Sequence, residues 1–173
     1  FLVVGDPFSA TTHADLFLRA RKKGLEVEVL HNASILTAVG EIGLELYKYG
    51  KTTSIPFSED GFEPETPYNV LKENRKMGLH TLLLLDLRPS ENRYMTIKEA
   101  IEYLLKIDGK RKEEAFREET LCVAAAALGT SQARIITGTA NELREEKLNN
   151  PTFSLIVPGK LHFIEEEMLE QWK

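Results

Sequence analysis

A chain of 173 residues, 42% apolar and 28% charged, is long enough for one domain or two small ones and has the composition of an ordinary globular protein. No stretch approaches the roughly 18 apolar residues that a membrane span requires, so no membrane association is expected. The net charge of −5, with no Lys/Arg-rich stripe carrying interleaved aromatics, argues against direct nucleic-acid binding, which draws its affinity from phosphate neutralisation; a protein or small-molecule partner is expected instead.

In chain order, residues 1–4 read as a buried strand ending at Gly5-Asp6-Pro7. No basic region precedes them as in a signal peptide, so the chain is read as beginning within a fold. Leu16, Phe17 and Ala20 then line one face of a helix that closes near Gly24. Residues 27–30 form the next predicted strand and run into His31-Asn32-Ala33-Ser34. Ser34 is placed there as a helix N-cap, ahead of an apolar face of Ile35, Val39, Ile42 and Leu46. Near residue 51 the pattern gives way to an irregular, Pro- and acid-containing stretch from Pro56 through Pro67, which sets a domain boundary between residues 1–50 and 51–173.

Beyond it the spacing predicts a helix over 68–77, an apolar strand over 81–87, and a helix to about Ile107 opened by the capping box Thr96-Ile97-Lys98-Glu99. Residues 108–120 are mostly charged and read as a solvated linker or frayed helix. Strands follow at 121–128, 134–136 and 153–157, with a second capping box at Thr139-Ala140-Asn141-Glu142 and a terminal helix over 164–172. This alternation is the pattern of an α/β fold with a largely parallel sheet. The single cysteine, Cys122, lies among Leu121, Val123 and Ala124 and reads as a buried strand thiol, in keeping with a reducing cytosol.

Three strand-end segments carry groups able to do chemistry. In Gly5-Asp6-Pro7, glycine lets another group approach the backbone, and Asp6 is suited to accept hydrogen bonds from ribose hydroxyls or a cationic ligand; the tripeptide equally reads as a turn with Asp6 capping the helix. In His31-Asn32-Ala33-Ser34-Ile35, the N–H groups of Ser34 and Ile35 would face the same crevice, or Ser34 simply caps its helix. In Val157-Pro158-Gly159-Lys160-Leu161-His162, the imidazole is either a ligand contact or a structural hydrogen-bonder. The four histidines lie far apart without metal-ligand companions, so no metal site is expected. The carboxylates Glu165, Glu166 and Glu167 read as a solvated helix face. Phosphate-loop, G-x-G-x-x-G and G-x-S-x-G patterns are missing.

Taken together, residues 1–8, Ala10-Thr11-Thr12-His13, His31-Asn32-Ala33-Ser34-Ile35, Ala38-Val39-Gly40, Leu46-Tyr47-Lys48, Gly78-Leu79-His80-Thr81-Leu82 and Arg93-Tyr94-Met95 resemble the diphthine synthase family in order and spacing. The resemblance runs over essentially the whole chain. It implies a tetrapyrrole-methylase-like α/β fold: the remainder of an N-terminal α/β domain plus a C-terminal α/β domain with a mixed sheet. S-adenosylmethionine would lie in the cleft between the two domains. It further implies that Asp6, Ser9, Ser34, Ile35, Leu84, Thr137 and His162 lie at the cofactor site, several through backbone groups. Family members begin with a further strand and a Gly-Leu-Gly-Leu turn, so the chain is read as lacking an N-terminal part.

The implied activity is successive methylation of the modified histidine of translation elongation factor 2, yielding S-adenosylhomocysteine, by a cytoplasmic homodimer. Such displacement at a sulfonium methyl is driven chiefly by alignment, an effect worth roughly 7–11 kcal/mol, and no residue is singled out as a general base. The alternatives are a corrin or porphyrin methyltransferase of the same fold and an inactive ligand-binding fragment. Residues 1–8 and 31–34 are similar to the eukaryotic form of the family, which also makes a methyl ester; the short connection between Leu87 and Arg93 is similar to the archaeal form.

Overall fold

The computed structural model describes residues 1–58 and 63–173; residues 59–62, within the irregular stretch expected at 56–67, lie outside the described residues. Two compact units divide the chain, Phe1–Glu41 and Ile42–Lys173.

In the first unit, helix α1 (Ala14–Lys22) closes at Gly24, whose φ of +73° is the left-handed conformation that ends helices. Ser34 caps α2 (Ile35–Ala38): its hydroxyl accepts from Leu36 N–H at 3.2 Å, and Thr37 reciprocates, the capping expected from the sequence. The two expected strands, residues 1–4 and 27–30, form no ladder among the described residues. Leu2, Val4 and Leu30 are exposed. Their β-branched and apolar composition favours extended backbone, but a strand exists only where a neighbour completes its hydrogen bonds.

The second unit is built on a five-stranded sheet, in the order β1 (Thr53–Ile55), β2 (Thr81–Leu85), β7 (Phe153–Val157), β5 (Leu121–Ala126), β6 (Arg134–Thr139), while β3 (Leu87–Arg88) and β4 (Arg93–Tyr94) pair in a separate two-stranded ladder. β1 and β2 are parallel, and the other three pairings are antiparallel. The sheet is therefore mixed, as the family resemblance implied, and not the largely parallel sheet expected from strand–helix alternation. Alternation records which segments are strands; direction is set by the connections, and a short turn between β5 and β6 returns the chain beside itself.

Register assigns the two faces. Ile55, Leu83, Leu85, Leu155, Val157, Cys122 and Ala124 point into the main core. There they meet Tyr68 and Leu71 of α3 (Thr66–Lys76), Ile101 and Leu104 of α4 (Ile97–Arg111), and Leu143 of α5 (Ala140–Glu145). Thr96 and Thr139 open α4 and α5 with the two capping boxes read from the sequence. Cys122 is fully buried and its thiol pKa is pushed up by burial. The opposite face carries Leu82, Leu84, Ser154, Ile156, Val123, Ala125, Ile135 and Thr137, by strict alternation from the paired residues. The terminal helix α6 (Phe163–Glu170) is tied to this unit at its end, where Trp172 accepts from Thr137 N–H at 2.8 Å and donates its indole N–H to Ile42 O at 2.9 Å.

Residues 108–111 continue α4 and most of the segment to residue 120 is exposed, but it is anchored at Asp108 and Phe116. The Asp108 carboxylate accepts from Tyr68 Oη at 2.5 Å, Ala115 N–H at 2.8 Å and Phe116 N–H at 3.2 Å, and Phe116 is fully buried. Within a charged run, one aromatic has found the core and one carboxylate has become a folding staple. Burial, reinforced by Asp108, pushes the Tyr68 phenol up to about 12.

Candidate functional site

Four of the residues expected at a cofactor site lie in the first unit. Asp6 is its centre: Oδ1 accepts from Phe8 N–H at 2.9 Å and Ser9 Oγ at 3.1 Å, while Oδ2 accepts from His31 Nδ1 at 2.7 Å and Asn32 N–H at 3.3 Å. The Phe8 amide, then the His31 ring, hold its carboxyl well below the usual carboxylate range. A carboxylate has about four lone-pair positions, so Asp6 is already saturated. Its side chain joins the turn at residues 5–9 to the turn at 31–32.

Gly5 completes that junction. Its φ is +83°, and an added Cβ would stand 3.2 Å from Ala33 O, so only glycine lets the two turns come this close. Ser9 is thus held by Asp6, and Ser34 and Ile35 open α2 immediately after the second turn. Both of the meanings read for Ser34 start from this cap. Beside the junction, Gly5, His13, Phe17, Val29 and His31 contribute to a groove of about 630 Å³.

The other three expected residues lie in the second unit. Leu84 on β2 and Thr137 on β6 project from the same sheet face, the one turned away from α3 and α4. Leu84 is the partly exposed member of an otherwise buried strand. Thr137 is 5% exposed, and its Oγ1 is one of two buried side-chain polar atoms among the described residues with no hydrogen-bond partner, the other being Tyr49 Oη. Native folds pair most such groups, because an unsatisfied buried hydroxyl costs on the order of 1–3 kcal/mol. An unspent donor at this position fits a polar ligand, and it is the observation on which the residues suit S-adenosylmethionine.

His162, by contrast, is not on that face. It is the exposed N-cap of α6, its ring lying 4.3 Å from that of Phe163. The loop before it is tightly held. Gly159 packs so closely on the backbone of residues 78–79 that a Cβ would fall 2.4 Å from Gly78 O. Lys160 N–H donates to Gly78 O at 3.0 Å.

Behind this loop lies a polar cluster that the sequence did not reveal. Glu165, read as part of a solvated face, is 1% exposed. Its carboxylate accepts from Glu45 N–H at 2.9 Å, His162 N–H at 2.8 Å, His80 Nε2 at 2.9 Å, and the Lys48 ammonium. Burial alone would raise Glu165, but Lys48 and these donors bring it down to about 2. His80 is fully buried, and burial lowers its pKa despite the adjacent carboxylate. Gly159 N–H donates to Nδ1 at 2.9 Å, so that nitrogen carries no proton, and the ring's one N–H is on Nε2, directed at Glu165. The signal that identifies Glu165 is its place at the third position of α6, where a carboxylate reaches back to the N-cap N–H.

With a mixed sheet flanked by helices in one unit, and glycine-bearing turns locked by a carboxylate in the other, this is an α/β protein. A family model, the tetrapyrrole (corrin/porphyrin) methylases, matches residues 1–144, and the chain belongs to that family. It is 48% identical over 172 residues to the diphthine synthase of Methanocaldococcus jannaschii, covering 98% of this chain and 67% of that protein. A probable diphthine methyl ester synthase of Arabidopsis thaliana is 44% identical, with 100% of this chain and 68% of that one covered. A solved structure named for a diphthine synthase of Entamoeba histolytica superposes with a TM-score of 0.95 at 38% identity, over 99% of this chain and 69% of its own. The chain thus spans about two thirds of the length of these relatives, and the resemblance read from its motifs is borne out.

Proposed function

We propose that the chain is the greater part of a diphthine synthase, an S-adenosylmethionine-dependent methyltransferase of diphthamide biosynthesis whose acceptor is the modified histidine of translation elongation factor 2. The observation that carries this reading is the 44–48% identity to proteins of that name over nearly the whole chain. The unpartnered Thr137 hydroxyl supports a polar ligand at the same time.

When bound, S-adenosylmethionine supplies an electrophilic methyl group on a sulfonium. The residues of this chain bind and orient. Asp6 holds the first two turns in register and leaves their backbone groups, with Ser9, Ser34 and Ile35, as the contacts. Leu84 offers an apolar surface, Thr137 a hydroxyl and His162 an imidazole edge. With the acceptor amine neutral and in line, alignment supplies roughly 7–11 kcal/mol of the barrier reduction. Among the described residues no helix is long and apolar enough to cross a membrane. A cytoplasmic homodimer is part of the same proposal, supported by the family resemblance.

The test is transfer of labelled methyl from S-adenosylmethionine to elongation factor 2 carrying the unmethylated precursor, run beside a corrin and a porphyrin acceptor. Label on the histidine-bearing peptide, with three or four methyl groups counted by mass, is expected. Label on the tetrapyrrole alone would establish the other branch of the family; label on neither would leave a ligand-binding protein.

A further inference from the structure

Glu165 and His80 do not belong to the expected contact set, yet they control the backbone of a segment that does. Three backbone N–H groups of residues 159–162 are held by them or by the strand-entry loop beside them. Gly159 N–H ends on His80 Nδ1 at 2.9 Å, Lys160 N–H on Gly78 O at 3.0 Å, and His162 N–H on Glu165 Oε2 at 2.8 Å. His80 and Glu165 are bonded to each other at 2.9 Å, and both are at most 1% exposed. The carboxylate is further tied to Lys48 and to Glu45 N–H, which come from the segment entering the unit.

Two features set this cluster apart from general stabilisation. The hydrogen-bond roles are uniquely assigned: an imidazole accepting on one nitrogen can donate only from the other, so the loop amide and the carboxylate fix one tautomer between them. And the loop has no slack, because Gly159 already touches the backbone of residues 78–79. A segment so constrained loses little freedom when a ligand arrives, the condition under which affinity is gained without new contacts.

We propose that Glu165 and His80 are positioning residues for the cofactor, fixing residues 159–162 so that His162 is presented to S-adenosylmethionine in one orientation. The inference rests on the methyltransferase reading above. The lowered pKa of His80 supports it, since protonation would force Nδ1 to give up Gly159.

The experiment is steady-state methyl transfer by the full-length protein and its Glu165→Gln, His80→Gln and Tyr68→Phe variants, with thermal unfolding of each. Tyr68→Phe loses a buried hydrogen bond to Asp108 in the main core and serves as the measure of destabilisation alone. The expected result is a KM for S-adenosylmethionine about tenfold higher in both cluster variants, at unchanged kcat and unchanged KM for the protein acceptor, with Tyr68→Phe leaving all three constants alone. Cluster variants whose KM for the cofactor moves no more than that of Tyr68→Phe overturn the proposal. If Glu165→Gln does not fold, His80→Gln decides in the same way, since an amide placed with its NH2 on Glu165 turns its carbonyl oxygen away from the Nδ1 position that Gly159 N–H uses. A wild-type protein that folds and transfers no methyl group overturns the methyltransferase reading and this inference with it.

Discussion

Two carboxylates organise the two units by the same device and with different consequences. Asp6 and Glu165 each collect four donors, each includes a histidine among them, and each is pulled well below its usual pKa. Asp6 joins two turns within a short unit, and its His31 partner is 71% exposed. Glu165 is sealed, and its partners His80 and Lys48 come from 85 and 117 residues away. The first carboxylate shapes a local surface; the second holds a tertiary junction. Stability should therefore depend on Glu165 far more than on Asp6, while both govern the geometry of expected cofactor contacts.

Glu165→Ala sharpens this contrast most. It strips four donors of their acceptor at once and is expected to cost about 4 kcal/mol, in the range for breaking a buried ion pair, measured by urea unfolding. Gly159→Ala comes next, at about 3 kcal/mol, because its Cβ would meet backbone atoms of Gly78 and Leu79 within 2.5 Å; an unchanged midpoint would show that the loop can retreat from residues 78–79.

The acid response follows from the two shifts in the buried cluster. His80 is lowered from 6.5, so the unfolded chain binds the proton first, and the stability it contributes is full above pH 6.5 and declines below it. Glu165 is lowered from 4.5 to about 2, so its contribution is full above pH 4.5 and is lost as pH falls toward 2. Denaturant midpoints should fall in both windows, with the upper fall removed in His80→Gln; a flat profile between pH 6.5 and 4.5 in the wild type would contradict a neutral buried ring. The smallest effect is expected for Asp6→Asn, which should leave the global unfolding midpoint in place and instead speed amide exchange at Phe8 and Asn32, its backbone donors.

The same comparison explains what the sequence disclosed. Thr96 and Thr139 were legible as caps because a capping box is written within four consecutive residues, and Ser34 because it stands directly before an apolar helical face. The strands expected at 81–87, 121–128, 134–136 and 153–157 were legible from apolar runs, with ends that the structure moves to 85, 126 and 139 in the first three, and Asp6 was legible from its turn. Glu165 was not, because three neighbouring glutamates look alike until residues 45, 48 and 80 are brought to one of them. Phe116 and Asp108 were hidden for the same reason within a charged segment. Strand direction, and the want of ladder partners at residues 1–4 and 27–30, are also tertiary facts that local propensity does not encode.

Calorimetric titration of S-adenosylhomocysteine into the protein and its Thr137→Val variant tests the cofactor reading most directly. The account predicts saturable binding by the wild type. In the variant, removal of an unpartnered buried hydroxyl should raise ligand-free stability by about 1 kcal/mol and weaken binding by about tenfold, the loss of one ligand hydrogen bond. Absence of binding by a folded wild-type protein, or equal affinity in the variant, would contradict it.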